Sequence, residues 1–181
     1  MLNLPNTITL VRIAFIPVLF VLLLFPGKTV GLFAALSFLV ASLTDFLDGF
    51  LARRQNSVTR LGKVLDPLAD KLLITVCLIM LIPLRSVPAW IVAVIVCREV
   101  AVTGLRGIAA AEGMIIPAES WGKKKTAFQI VAIISLLLHY EYFYIDCHQV
   151  GMALLYIALA LTVLSGLLFF YWFFQKISLS Q

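Results

Sequence analysis

Four aspartates fall in two pairs. Asp45 and Asp48 are three residues apart, and Asp66 and Asp70 are four apart. On an α-helix either spacing puts both carboxylates on one face, so two helices meeting near these points gather four carboxylates in one place. Such a group repels itself and is costly to keep ionised beside a low-dielectric medium, and a bound cation is the simplest relief. Oxygen ligands without Cys or His select a hard ion, Mg2+ or Mn2+, over zinc. Four ligands suit two ions, and paired ions suit in-line displacement at phosphorus by stabilising the attacking and leaving oxygens. Gly49 and Ala52 lie on the face of Asp45 and Asp48 and leave a groove for a nucleotide, while Gly62 permits a close loop approach. A purely structural account reaches half of the set: Asp66 caps a helix opening at Pro67, with Asp70 in the first turn. It leaves Asp45 and Asp48 unexplained.

The elements that must position these residues are set by composition. Of 181 residues 62% are hydrophobic and 13% charged, too little polar surface to coat a soluble globule. At this length one domain, spanning 1–181, is expected, all-α and embedded in a bilayer. Six apolar segments are long enough to cross: 7–25, 30–51, 67–84, 87–108, 126–143 and 150–174. The first begins without basic residues and is interrupted by Arg12, so it is expected to stay as a span rather than serve as a signal peptide. With both termini cytoplasmic, every Lys and Arg except Lys28 and Arg85 lies at an inner end or inner loop, as the positive-inside rule requires. All four aspartates then share the cytoplasmic boundary, on a hairpin of spans two and three. The net charge of +5 therefore points to anionic lipids and phosphorylated substrates, not nucleic acid. Cys77, Cys97 and Cys147 lack zinc or disulfide spacing; Cys77 and Cys97 read as small hydrophobes. The outer loop around His139–His148 reads as an interfacial aromatic belt, in preference to a small metal site.

Three further groups carry charge into apolar segments. In span four Glu99, Thr103 and Arg106 share a stripe, with Arg98 beside it and deep in the membrane. Two guanidiniums suit capture of a phosphate, whereas a structural Arg98–carboxylate pair is the plainer alternative. Lys123, Lys124 and Lys125 open span five; the first two read as headgroup contacts. Lys125, four residues before Gln129, is the better substrate candidate. In span one Asn6, Thr9 and Arg12 recur every third residue, Asn6 doubling as a helix cap, and Arg12 needs an anion such as a phosphate or one of the aspartates.

The stretch from Asp45 to Asp70 resembles the signature of the CDP-alcohol phosphotransferases, D-x2-D-G-x2-A-R-x8-G-x3-D-x3-D, at every defined position. The resemblance covers six spans with cytoplasmic termini, essentially the whole chain. It implies that Asp45, Asp48, Asp66 and Asp70 are metal ligands, with Asp70 also the general base. It further implies that Gly49, Ala52, Arg53 and Gly62 line the CDP site, and that the enzyme is a homodimer. Pro5-Asn6-Thr-Ile-Thr9-Leu-Val-Arg12, the Arg98–Arg106 stretch and Gly122-Lys-Lys-Lys125-Thr-Ala-Phe-Gln129 are similar to the phosphatidylglycerophosphate synthase branch. That branch implies transfer of a phosphatidyl group from CDP-diacylglycerol to glycerol 3-phosphate, with Arg98, Thr103, Arg106 and Lys125 at the acceptor phosphate. A bacterial plasma membrane is the expected location. The nearest alternatives are family branches using inositol phosphate, serine or phosphatidylglycerol. A cation transporter is a remote one, because transport spreads ionisable residues through the membrane depth and here they sit at one surface.

Overall fold

A computed structural model describes residues 4–25, 27–55, 60–111, 120–142 and 145–180, with side chains at 9–25, 27–44, 68–110, 122, 124–140 and 146–175. Each expected apolar segment contains a helix: α1 (Leu4–Leu23), α2 (Lys28–Gln55), α3 (Arg60–Leu81), α4 (Ala89–Ala111), α5 (Ser120–Leu138) and α6 (Cys147–Ser180). Pro17 lies inside α1 on its exposed side; the helix continues through it to Leu23, as proline is tolerated more often in membrane helices than in soluble ones.

Two boundaries differ from the expectation in ways that matter for the site. Because α3 begins at Arg60, Asp66 and Pro67 stand in its interior, and the capping account of Asp66 falls. Likewise α2 runs to Gln55, so Asp45, Asp48, Gly49, Ala52 and Arg53 all lie on one unbroken helix. At the opposite end α5 stops at Leu138. His139 takes a left-handed conformation, φ 57°, its N–H donating to Ser135 O at 3.2 Å, an arrangement glycine more often fills. A two-residue hairpin follows, β1 (Glu141–Tyr142) antiparallel to β2 (Ile145–Asp146), where aromatic and β-branched residues favour an extended chain. Asp146 then caps α6: the N–H groups of Gln149 and His148 donate to its carboxylate at 3.1 and 2.9 Å. These bonds hold its carboxyl below the usual range, Gln149 contributing most.

Helix α1 packs against both α2 and α3, α5 against α6 and α2, and α4 against α6. The central core joins Leu19, Phe38, Leu78, Ile91, Ile133 and Leu155, one from each helix. Cys77 is buried within it, as expected, whereas Cys97 is exposed. Alternating helix direction is visible in the contacts. Arg12, Ala41 and Asp70 meet towards one end of the bundle, while Leu23, Val30, Leu84, Leu137 and His139 line one cavity towards the other. The outer surface is apolar: Phe20, Phe25, Phe33, Leu43, Leu167 and Tyr171 are all exposed, while Arg12 and Lys125 are buried. That reverses the pattern of a water-soluble protein and suits hydrocarbon. Among the described residues, Cys147–Gln175 is the stretch long and apolar enough to cross a bilayer by itself, and Thr9–Leu23 and Lys28–Thr44 are shorter apolar helical stretches.

Glycine sets the closest helix approaches, as is common where association relies on packing rather than on water exclusion. A Cβ on Gly31 would lie 2.7 Å from Leu137 O, and one on Gly151 would lie 3.0 Å from Leu136 N. Backbone cannot swing aside like a side chain. Gly31→Ala should therefore lower stability by about 1–3 kcal/mol, read as a lower thermal midpoint in detergent, whereas Gly27→Ala, with nothing within 4 Å of the added methyl, should leave it unchanged.

Candidate active site

The site is built around Arg12. Its side chain is 1% exposed, its Nη1 donates to Asp70 Oδ1 at 2.8 Å, and its Nε donates to Ala41 O at 3.3 Å. One guanidinium thus joins α1, α2 and α3. Ala41 is one turn before Asp45 on α2, and Asp70 is one turn after Asp66 on α3, so both aspartate-bearing turns are tied to the same side chain. Thr9, one turn before Arg12 on α1, is also buried. The expectation that Arg12 takes one of the aspartates as its anion is met by Asp70, which is 35% exposed. The side chains of Asp45, Asp48, Asp66, Gly49, Ala52, Arg53, Gly62 and Asn6 lie outside the described residues; only their helical positions are stated. No cluster of metal-binding side chains occurs among the described residues. Carboxylate oxygens from adjoining turns of two helices nevertheless match a hard divalent cation in donor type.

A second polar centre lies on α4. Glu99 Oε1 accepts from Arg98 Nη1 at 3.1 Å and from Lys125 Nζ on α5. Arg98 Nη2 also donates to Ser165 Oγ on α6 at 2.9 Å, and a Cβ on Gly166 would lie 3.1 Å from Arg98 Cγ. The small residues at 165 and 166 therefore make room for the arginine within an otherwise apolar stretch of α6. Lys71, next to Asp70, donates to Thr103 Oγ1, and Thr103 donates to Glu99 O at 2.6 Å. This chain of contacts runs from the Asp70 turn of α3 through Thr103 and Glu99 to Lys125 on α5. Both readings of Arg98 thus have a footing: it is paired with a carboxylate, yet its neighbour Lys125 shares that carboxylate, so cations outnumber it.

Of the expected phosphate residues, Arg98, Thr103 and Lys125 converge on Glu99. Arg106 does not join them. It lies one turn beyond Thr103 and seven residues beyond Glu99, about 10.5 Å along the helix at 1.5 Å per residue, exposed, with its guanidinium 5.6 Å from the Phe169 ring centre. Sequence reasoning passed over Lys71, which it counted only as an inner basic residue, and the Ser165–Gly166 step. A hydroxyl–glycine pair within an otherwise apolar helix is the signal that was available.

The chain belongs to the CDP-alcohol phosphatidyltransferase family, whose pattern matches residues 2–164; it is an enzyme of a membrane-bound transferase family engaged in phospholipid synthesis. Among its relatives is the CDP-diacylglycerol--glycerol-3-phosphate 3-phosphatidyltransferase of Bacillus subtilis (strain 168), 46% identical over 178 residues, covering 92% of each chain. Proteins of the same name from Rickettsia bellii (39% identical, 93% of each chain) and Salmonella choleraesuis (37% identical, 91% of each chain) are also similar.

If Arg12 and Asp70 stabilise each other across the helix junction, a double-mutant cycle of Arg12→Met and Asp70→Asn should give a coupling of about 1–3 kcal/mol in thermal or denaturant unfolding. Additive effects would show that the ion pair does not hold the junction.

Proposed function

We propose that the chain transfers the phosphatidyl group of CDP-diacylglycerol to glycerol 3-phosphate, releasing CMP, as a single six-span domain in a bacterial plasma membrane with both termini and the active site cytoplasmic. The observation that supports this reading is that Arg12 ties down Asp70, with Asp45, Asp48 and Asp66 at nearby helical positions of α2 and α3, while a cationic group gathers around Glu99. The second centre sets Arg98 and Lys125 on the one carboxylate of Glu99, with Lys71 close by on Thr103, an excess of positive charge suited to a phosphate monoester. An acceptor of no net charge, such as zwitterionic serine, has less use for that excess than a phosphate monoester. The close relatives named above act on glycerol 3-phosphate by name, and this favours it over inositol phosphate. The family resemblance adds a homodimer to the expectation.

In this mechanism Asp45, Asp48, Asp66 and Asp70 hold the cation, Mg2+ or Mn2+ and two in number. When bound it neutralises the diphosphate of the liponucleotide. Gly49, Ala52, Arg53 and Gly62 seat the CDP moiety. Arg98, Thr103 and Lys125 bind the acceptor phosphate, and Arg106 attracts it from the surface. Arg12 fixes one oxygen of Asp70, orienting the carboxylate so that it takes the proton from the C1 hydroxyl of the acceptor. The hydroxyl oxygen forms a bond to the phosphatidyl phosphorus as the bond from that phosphorus to the bridging oxygen breaks, and CMP leaves with the electron pair. Positioning and charge neutralisation supply most of the rate.

The purified protein should release CMP only when CDP-diacylglycerol and glycerol 3-phosphate are both present, and lose that activity on chelation with recovery on adding Mg2+ or Mn2+. Asp70→Asn should abolish turnover while CDP-diacylglycerol still binds; near-normal turnover would remove Asp70 as base. Lys125→Met should lower kcat/KM for glycerol 3-phosphate by about tenfold to a hundredfold, the worth of a charge-assisted contact, with the CDP-diacylglycerol requirement little changed. Equal effects on both substrates would remove Lys125 from the acceptor site.

A further inference from the structure

Gln129 lies one turn beyond Lys125 on the same face of α5, is 2% exposed, and its amide Nε2 is buried with no hydrogen-bond partner. A polar hydrogen enclosed in an apolar bundle without an acceptor is unfavourable, and native proteins rarely leave one so. A second buried donor in the same state is Nε of Arg98, whose two other nitrogens reach Glu99 and Ser165. Both orphans are donors, one on the side chain that binds Glu99 and the other one helical turn from Lys125. Two such donors near one pair point to a ligand that accepts hydrogen bonds.

The two donors differ in character. The arginine is charged and suits a phosphate oxygen. The amide is neutral, one turn deeper than Lys125, and can both donate and accept, which matches a hydroxyl better than an anion. Resting on the acceptor reading above, we infer that Gln129 is a specificity-determining residue that donates its amide N–H to the hydroxyl of the phosphorylated polyol that does not react, the one on C2, next to the carbon that bears the attacking hydroxyl. It selects acceptors bearing that hydroxyl over a phosphorylated simple alcohol, because a site built to bond a hydroxyl leaves its own donor unpaired when the hydroxyl is absent.

The test compares glycerol 3-phosphate with propane-1,3-diol monophosphate, identical but for the missing hydroxyl, using the full-length protein in detergent with CDP-diacylglycerol. The wild type should use the deoxy acceptor with kcat/KM lower by about tenfold, the worth of one neutral hydrogen bond. In Gln129→Met the two acceptors should differ by less than about twofold, the loss falling on glycerol 3-phosphate and chiefly on its KM, while the thermal midpoint is unchanged or higher because an unpaired buried amide has been replaced by an apolar group of similar size. A wild type that does not discriminate overturns the inference without any variant, so a misfolded Gln129→Met cannot rescue it. A variant that keeps the wild-type preference, or that weakens both acceptors equally with a lower thermal midpoint, shows a structural glutamine and also overturns it. Absence of turnover with either acceptor in the wild type instead strikes the proposed function, and this inference falls with it.

Discussion

An arginine enclosed in an apolar bundle must be neutralised where it stands, and Arg12 is 1% exposed. Its guanidinium meets this demand with Asp70 and with the carbonyl of Ala41, and in doing so it fixes how α1, α2 and α3 meet. Desolvating two charges is costly, so such a pair is better understood as setting a unique arrangement than as adding net stability. The arrangement it sets is the one in which the aspartate-bearing turns of α2 and α3 lie against the polar side of α1. The remaining polar architecture is hung from that junction: Lys71 follows Asp70 along α3 and reaches Thr103, and Thr103 leads to Glu99.

Glu99 plays the corresponding part on the other side of the site. A single carboxylate oxygen shared by Arg98 and Lys125 tethers two long, flexible side chains without cancelling both charges. The residual positive charge is thereby held in place by the fold itself. Helix α6 contributes through what it lacks: Gly166 has no side chain where Arg98 passes, and Ser165 presents one hydroxyl. The Asp70 turn tied to Arg12 is thus linked through Lys71 and Thr103 to the basic group around Glu99, so charges of both signs, which reactions at phosphorus draw on, are joined by one polar chain.

Much of this was legible without coordinates. Long apolar segments can be little else than helices in a bilayer, since backbone groups in hydrocarbon must find partners within their own segment; each expected segment does contain a helix. The side-by-side placement of Asp66 and Asp70, or of Glu99 and Thr103, follows from helical period alone. Boundaries were less legible. The helix carrying Asp66 starts at Arg60, well before Pro67, because proline interrupts membrane helices less surely than soluble ones. The outer connection between α5 and α6 was read as an aromatic belt, and the short β1–β2 pairing within it has too few residues to leave a periodic signal.

The sequence by itself determined the helical membrane architecture, the family, and which residue types could do chemistry at which intervals, because these depend on composition and on distances along one helix. Tertiary structure alone decided which charge answers which. That Arg12 takes Asp70, that Lys125 and Arg98 share Glu99, that Arg106 lies instead on Phe169, and that Nε2 of Gln129 finds no hydrogen-bond partner among the described residues all depend on how the helices pack. Pairings between helices are set by shape and close approach across the bundle, and no spacing along the chain encodes them.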